Sequence, residues 1–313
     1  MKTFAPNYYK KFHCIADKCK HSCCIGWDVY IDEATLEKYE NEGGAFGLRL
    51  RNSISRKEDG ECFEMRPDGR CPFLNSCGLC EIILTKGEDF ISEICTEHPR
   101  FYNFFSDRTE IGLGLCCEEA ARIILSQNED FSLVIYDDDD DDEEDDSISV
   151  RDQSLLYLRD EIFSILQNRS KCVAERAKDM LLSVGANIPK KSLQEWADIF
   201  KSLEIMDENW ESALDLLSKC RGDSELLEFE NAFEKLIIYF VYRHLADAVD
   251  GDDLSARISF AYLAFTIIEA LCKAKKETFG ECTFADLYEF ARLYSAEIEY
   301  SEDNTQNLLE LLQ

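Results

Sequence analysis

Eleven of the fifteen cysteines in this 313-residue chain fall within its first 117 positions, at spacings that let one loop deliver several thiols to one point. Cys14, Cys19, Cys23 and Cys24 come first, then Cys62, Cys71, Cys77 and Cys80, then Cys95, then the pair Cys116–Cys117. Thiols crowded in this way cross-link, bind metal or do redox chemistry. The choice among these constrains the fold, because the segment is dense in glycine, proline and aromatic residues and has few long helical patterns.

Disulfides are the least favoured of the three. The stretch Met1–Lys11 has no apolar run and no small-residue cleavage site, so no secretory leader is expected and the expected compartment is the cytoplasm. Disulfide frameworks belong to small secreted domains that lack a core, whereas this chain is 45% hydrophobic and long enough to bury one or two cores. Metal binding is then the leading reading. A structural zinc ion takes four ligands, usually from two knuckles, and only Cys77-x2-Cys80 resembles a knuckle. An iron–sulfur cluster takes one thiolate per iron, commonly three close in sequence and one remote. Adjacent cysteines such as Cys23–Cys24 serve different irons more easily than one zinc ion. The spacing therefore favours an iron–sulfur centre, with 4Fe–4S the expected form, and keeps zinc as the alternative. His13 and His21 flank the first group and could ligate metal, but hydrogen bonding to cluster sulfurs or simple exposure is the expected reading.

The net charge is −30, from 64 acidic and 34 basic residues. Such a chain repels nucleic-acid phosphates and attracts basic, lysine-bearing partners. Ten of the carboxylates form one run, Asp137–Asp146, and like charges at that density are expected to form a solvated linker. The run suggests three segments: a cysteine-rich metal-binding domain over 1–136, the linker over 137–147, and an all-helical domain over 148–313. The expected fold class is mainly α, a loop-rich N-terminal metal domain followed by a helical bundle or array.

In the first segment Trp27–Ile31 alternates and suggests a short strand. Asp32 is placed to cap a helix over Ala34–Asn41, and Glu118–Gln127 reads as a helix with acids in its first turn. In the last segment apolar residues recur at helical spacing, as at Leu226, Phe229, Phe233, Leu236, Ile237 and Phe240, and predict six to eight helices. Thr283 and Asp286 form a capping box for one of them, and Gly251-Asp-Asp253 suggests a turn between two long ones. The apolar stretch Ile258–Leu271 is too short to cross a membrane and reads as a buried helix. No membrane association is expected, and oligomeric state is not legible.

The opening Phe12-x-Cys14-x4-Cys19-x3-Cys23-Cys24-x-Gly26-Trp27-x-Val29-x-Ile31-Asp32 resembles that of the flagellin lysine-N-methylase family. So do Cys71-Pro-Phe-Leu-Asn75 with Gly78-Leu-Cys80-Glu-Ile82, Cys95-x2-His98-Pro99-Arg100, Cys117-Glu-Glu-Ala-Ala-Arg122, Tyr239–Leu245 and Tyr294–Asn304. The first half is also similar to CxxCxxCC-type proteins described as zinc or iron chelators. The resemblance implies an enzyme that moves methyl groups from S-adenosylmethionine to lysine side chains of a protein, flagellin being the expected substrate. It also implies an iron–sulfur cluster held by Cys14, Cys19, Cys23, Cys24, Cys71, Cys80, Cys95 and Cys117. Cys77 and Cys116 are additional to the family pattern, His98 replaces a tyrosine, and Glu118 replaces a proline.

Other candidates come from the residues themselves. Ile111-Gly-Leu-Gly114 is a lone GxG without the strand–turn–helix context of a nucleotide loop, so the cofactor site has to be built otherwise. Trp27, expected beside the metal, and Arg100, able to pair with a carboxylate or phosphate, are the cofactor-binding candidates. Tyr242, Arg243 and His244 lie on an otherwise apolar helix, and buried charge of that kind calls for partners or a function. Glu297 and Glu299 are placed to receive a lysine ammonium or its proton, with at least one of the two expected on a solvated face. These five are the catalytic candidates, in a pocket expected where the metal domain meets the helices. The rival class is a metal-chelating or redox-sensing module without turnover.

Overall fold

Position 100, and not the acidic run, is where the chain changes character. A computed structural model describes all residues except 58–59 and 139–147. Residues 1–12 and 101–313 form one compact unit and residues 13–100 another. The boundary expected at the acidic run is thus displaced, because the first strand of the chain pairs with strands beyond position 100. Asp137 and Asp138 complete a strand; the rest of the expected linker lies outside the described residues.

The strands are β1 (Lys2–Pro6), β2 (Ile54–Lys57), β3 (Gly60–Phe63), β4 (Arg100–Phe104), β5 (Arg108–Leu113) and β6 (Leu133–Asp138). The helices are α1 (Glu33–Asn41), α2 (Gly44–Asn52), α3 (Glu81–Lys86), α4 (Glu93–Glu97), α5 (Glu118–Leu125), α6 (Val150–Leu166), α7 (Val173–Ser183), α8 (Leu193–Ser202), α9 (Glu208–Leu217), α10 (Glu230–His244), α11 (Gly251–Phe279), α12 (Phe284–Tyr294) and α13 (Glu302–Leu312). The protein is mainly helical, as expected.

In the unit of residues 13–100, Asp32 accepts a hydrogen bond from the Thr35 amide (2.9 Å) and starts α1 as predicted. Trp27–Ile31 is not a strand. It runs extended with an isolated bridge, Tyr30 to Cys62, and two flanking backbone bonds, too few to build a ladder. The hairpin β2–β3 and helix α2 were not anticipated, since neither has a long apolar period. Tyr39, Leu50, Phe63 and Phe73 are wholly or almost wholly buried here, and Cys71 joins the same small core.

The other unit is built on a four-stranded sheet in the order β4-β5-β1-β6, with β1 parallel to β5 and antiparallel to β6. Eight helices, α6 to α13, follow position 148, at the upper end of the predicted range. Gly251 is the first residue of α11 rather than a turn, because Asp250 caps the helix by accepting from the Asp253 amide. Gly280, at φ +89°, ends it in the left-handed conformation. By length and composition α11 could cross a membrane, yet Phe260, Leu263, Ile267, Ile268 and Leu271 are buried in the protein core. The capping box of Thr283 and Asp286 starts α12 as predicted. A bidentate pair between Arg159 of α6 and Glu110 of β5 (2.6 and 2.8 Å), both almost fully buried, fastens helices to sheet.

Candidate functional site

The chain does not pass directly from α12 to α13. Ser295–Glu299 is a π-helical turn, a local widening that re-aims side chains and recurs at functional sites. It turns Glu299 onto α10. There the carboxylate meets Tyr239 and Arg243, four residues apart and so on one helix face, together with His244. His244 Nε2 lies 2.6 Å from Glu299 Oε1. Arg243 Nε is 3.2 Å from the same oxygen, and the Tyr239 hydroxyl donates to both carboxylate oxygens at 3.2 and 3.0 Å. The Tyr239 oxygen in turn accepts from the Leu115 amide (3.1 Å) and Arg243 Nη1 (3.0 Å).

Glu299 is fully buried. Burial alone would raise its pKa, but the charge of Arg243 and the bond to His244 outweigh that and hold it below the ordinary carboxylate value. Burial pushes the His244 imidazole down, and Glu299 offsets this only in part. The pair is thus a carboxylate and a neutral imidazole at pH 7. An ionised carboxylate can only accept, so Nε2 carries the proton and Nδ1 the lone pair.

Arg243 is held between two aromatic faces, 4.9 Å from the ring centres of Phe101 and Tyr300. Phe101 can lie there because Gly112 has no side chain: a Cβ at position 112 would come within 2.2 Å of the Phe101 ring. Gly112, the first glycine of the GxG, therefore serves close packing on β5. A cleft of about 340 Å³ opens on this cluster. Arg243, His244 and Glu299 line it, with Phe101 and Tyr102 of β4 and the acidic Asp247 and Glu302. Such a concave site with convergent polar groups and shifted pKa values is the pattern of a catalytic pocket.

The five catalytic candidates separate. Arg243, His244 and Glu299 come together. Tyr242 points elsewhere: it is wholly buried and its hydroxyl donates to the Ile111 carbonyl at 3.1 Å. Glu297 does not line the cleft. It accepts from the Met206 amide at 2.9 Å, its Oε1 has no partner, and burial raises its pKa. Neither side chain is on a solvated face: Glu297 is buried in the core and the Glu299 carboxylate is covered by the groups of α10 that it meets. Sequence reasoning gave no role in this cleft to Tyr239, Phe101 or Cys116. Cys116 carries a thiol bonded to Tyr300 and pushed up to about 12 by burial. The spacing of Tyr239 and Arg243 was the available signal for the first of these.

Within residues 13–100, Cys24, Cys71, Cys80 and Cys95 lie near one another, so that charge on one opposes charge on the others. Cys23 adjoins Cys24 and feels Cys14 and Cys95. Cys71 accepts from the Phe73 amide, and Cys80, at the start of α3, accepts from the amides of Ile82 and Ile83. Cys19 donates to the His21 carbonyl (3.1 Å). Cys117 belongs to the other unit, at the N-terminus of α5. Among the described residues no three cysteine, histidine or acidic side chains converge into a ready metal site. The donor chemistry nevertheless fits a thiolate-bound centre. Amide donors to sulfur are what such centres use, and the buried Tyr39 hydroxyl, within electrostatic reach of Cys95, Cys80 and Cys71, has no hydrogen-bond partner. Trp27 donates to the Cys23 carbonyl and lies 6.1 Å from the His98 ring. Arg100 donates to the Thr96 carbonyl at 2.7 Å.

A helical domain that brings a buried carboxylate, an imidazole and a guanidinium to one cleft has the makings of a group-transfer enzyme. Residues 113–313, well over half of the chain, match the FliB lysine N-methylase C-terminal domain. The chain belongs to the FliB lysine N-methylase family. It is 27% identical over 134 residues to the flagellar biosynthetic protein FliU of Salmonella muenchen, a match covering 41% of this chain and 79% of that protein. It is 25% identical over 134 residues to the lysine-N-methylase of Salmonella typhimurium and 27% identical to that of Salmonella choleraesuis. Those two matches cover 41% of this chain and 33% of each relative, so the chain aligns with about a third of their length. No solved structure matches.

Proposed function

We propose that this protein transfers methyl groups from S-adenosylmethionine to lysine side chains of a protein substrate, with flagellin the leading candidate. The observation that carries the reading is the Glu299–His244 pair at the floor of a cleft, in a chain of the lysine N-methylase family. An ammonium has no lone pair, so the acceptor lysine must lose a proton before it reacts. Neutral His244 takes that proton on Nδ1, while Glu299 holds the ring and stabilises the imidazolium. Arg243 balances the charge of Glu299, and Tyr239 fixes both. Tyr102 offers an aromatic ring and Asp247 and Glu302 offer carboxylates, which suits a lysine ammonium and the sulfonium of the cofactor alike. When bound, S-adenosylmethionine supplies the electrophilic methyl group.

The cysteines of residues 13–100 are proposed to hold an iron–sulfur centre, with zinc as the alternative. Cys24, Cys71, Cys80 and Cys95 are the nearest set, and Cys14, Cys19 and Cys23 are further candidates. Such a centre would organise a unit whose apolar core is small. The test is incubation of anaerobically prepared protein with labelled S-adenosylmethionine and flagellin, followed by mass spectrometry of the lysines. Methyl-lysine is the expected product. No label transfer, from protein that holds metal but does not bind the cofactor, would instead support a metal-chelating module.

A further inference from the structure

The four-stranded sheet ends on one side at β6, whose inner edge pairs with β1 and whose outer edge carries no strand among the described residues. Val134, Ile135 and Tyr136 are consecutive, so they point to both faces of the sheet, and they are 43%, 50% and 41% exposed. Three apolar residues in a row on an open edge are a template for strand pairing, and natural proteins normally shorten, cover or charge such edges. Tyr136 is steadied from one side by Tyr9, whose ring centre is 5.0 Å away, and by Lys10 at 5.4 Å. Directly after Tyr136 the sequence runs into ten consecutive carboxylates, in a chain of net charge −30.

We propose that β6 is a docking edge for an extended, lysine-bearing segment of the protein substrate. The segment adds to the sheet by backbone hydrogen bonds, its apolar side chains meet Val134, Ile135 and Tyr136, and its lysines are drawn by the acidic sequence that follows. The edge selects for an unfolded or locally extended basic segment. A second copy of this chain is the disfavoured occupant, because two chains of net charge −30 repel one another. The inference rests on the methylase reading for the identity of the segment, and its test reads binding without any methyl transfer.

The probe is a short capped peptide alternating valine with lysine, with the lysines replaced by glutamate in a control. Hydrogen exchange on the intact protein should show slowed amides across residues 133–138 when the lysine peptide is added, and no change with the glutamate peptide. Affinity should fall several-fold from low to physiological salt. Ile135→Lys should weaken peptide binding about fivefold or more without changing circular dichroism. Protection elsewhere, or none, overturns the inference, as does protection of β6 without peptide accompanied by dimerisation. Protection of β6 by the lysine peptide in protein that never methylates flagellin defeats only the methylase reading, and flagellin methylated by protein whose β6 the peptide never protects defeats only the docking edge.

Discussion

His244 Nε2 and Glu299 Oε1 stand 2.6 Å apart although 55 residues separate them in the chain, and both face a cleft. Their contact exists because a π turn precedes α13 and because Tyr239 and Arg243 hold the carboxylate from the same face of α10.

Glu299→Gln and His244→Ala are each expected to slow methyl transfer by about 10²–10⁴-fold, the usual range for a positioned acid–base group. The double variant should be little slower than the worse single one, since the two act as a unit. Measured rates that multiply would show independent roles.

The same pair makes activity pH-dependent. Burial depresses His244, so its proton-accepting form persists below the ordinary imidazole value of about 6.5. Glu299 raises the His244 pKa, and Glu299→Gln should therefore move the acid limb of the residual rate to lower pH. The folded protein resists protonating His244 while the unfolded chain accepts the proton. Stability should then be complete above about pH 6.5 and fall as pH drops below it. Urea titrations at a series of pH values check the sign.

Gly112→Ala should disturb the site from a distance. The added Cβ meets the Phe101 ring at 2.2 Å, and that ring supports Arg243. A destabilisation of roughly 1–3 kcal/mol from overpacking should come with a fall in turnover. Phe101→Leu combined with Gly112→Ala should recover stability but not turnover.

Removing one partner of the buried Arg159–Glu110 pair, as in Glu110→Gln, leaves an uncompensated charge between β5 and α6. The expected loss is about 3–5 kcal/mol, and the double change to Met and Leu should cost less. Equilibrium unfolding of the two variants tests this.

Tyr39→Phe should act with opposite signs in two preparations. Without metal the variant loses a buried hydroxyl that has no partner, so its melting temperature should hold or rise slightly. In anaerobic protein containing iron and sulfide, the hydroxyl is expected to donate to a cluster sulfur, and its loss should lower the reduction potential and shift the visible absorbance. An unchanged potential would remove Tyr39 from the centre.

Periodicity and capping are local, and the sequence carried them: the helices after position 148, the Asp32 cap of α1 and the Thr283–Asp286 box all appear as predicted. Arg243, His244 and Glu299 were also identifiable as polar residues that helix packing does not explain. The sheet was invisible beforehand, because β1, β5 and β6 lie far apart along the chain and each is too short to announce a pairing partner. That pairing moved residues 1–12 and 101–136 out of the cysteine-rich segment and into the helical unit. The tertiary structure likewise sorted residues that are equivalent in sequence. Tyr242 faces the sheet while its neighbours face the cleft, and Glu297 and Glu299 diverge across one π turn. A sequence fixes which side chains are present and which helix face they share. Which of them meet depends on backbone bonds between distant segments, and those form only when the whole core closes.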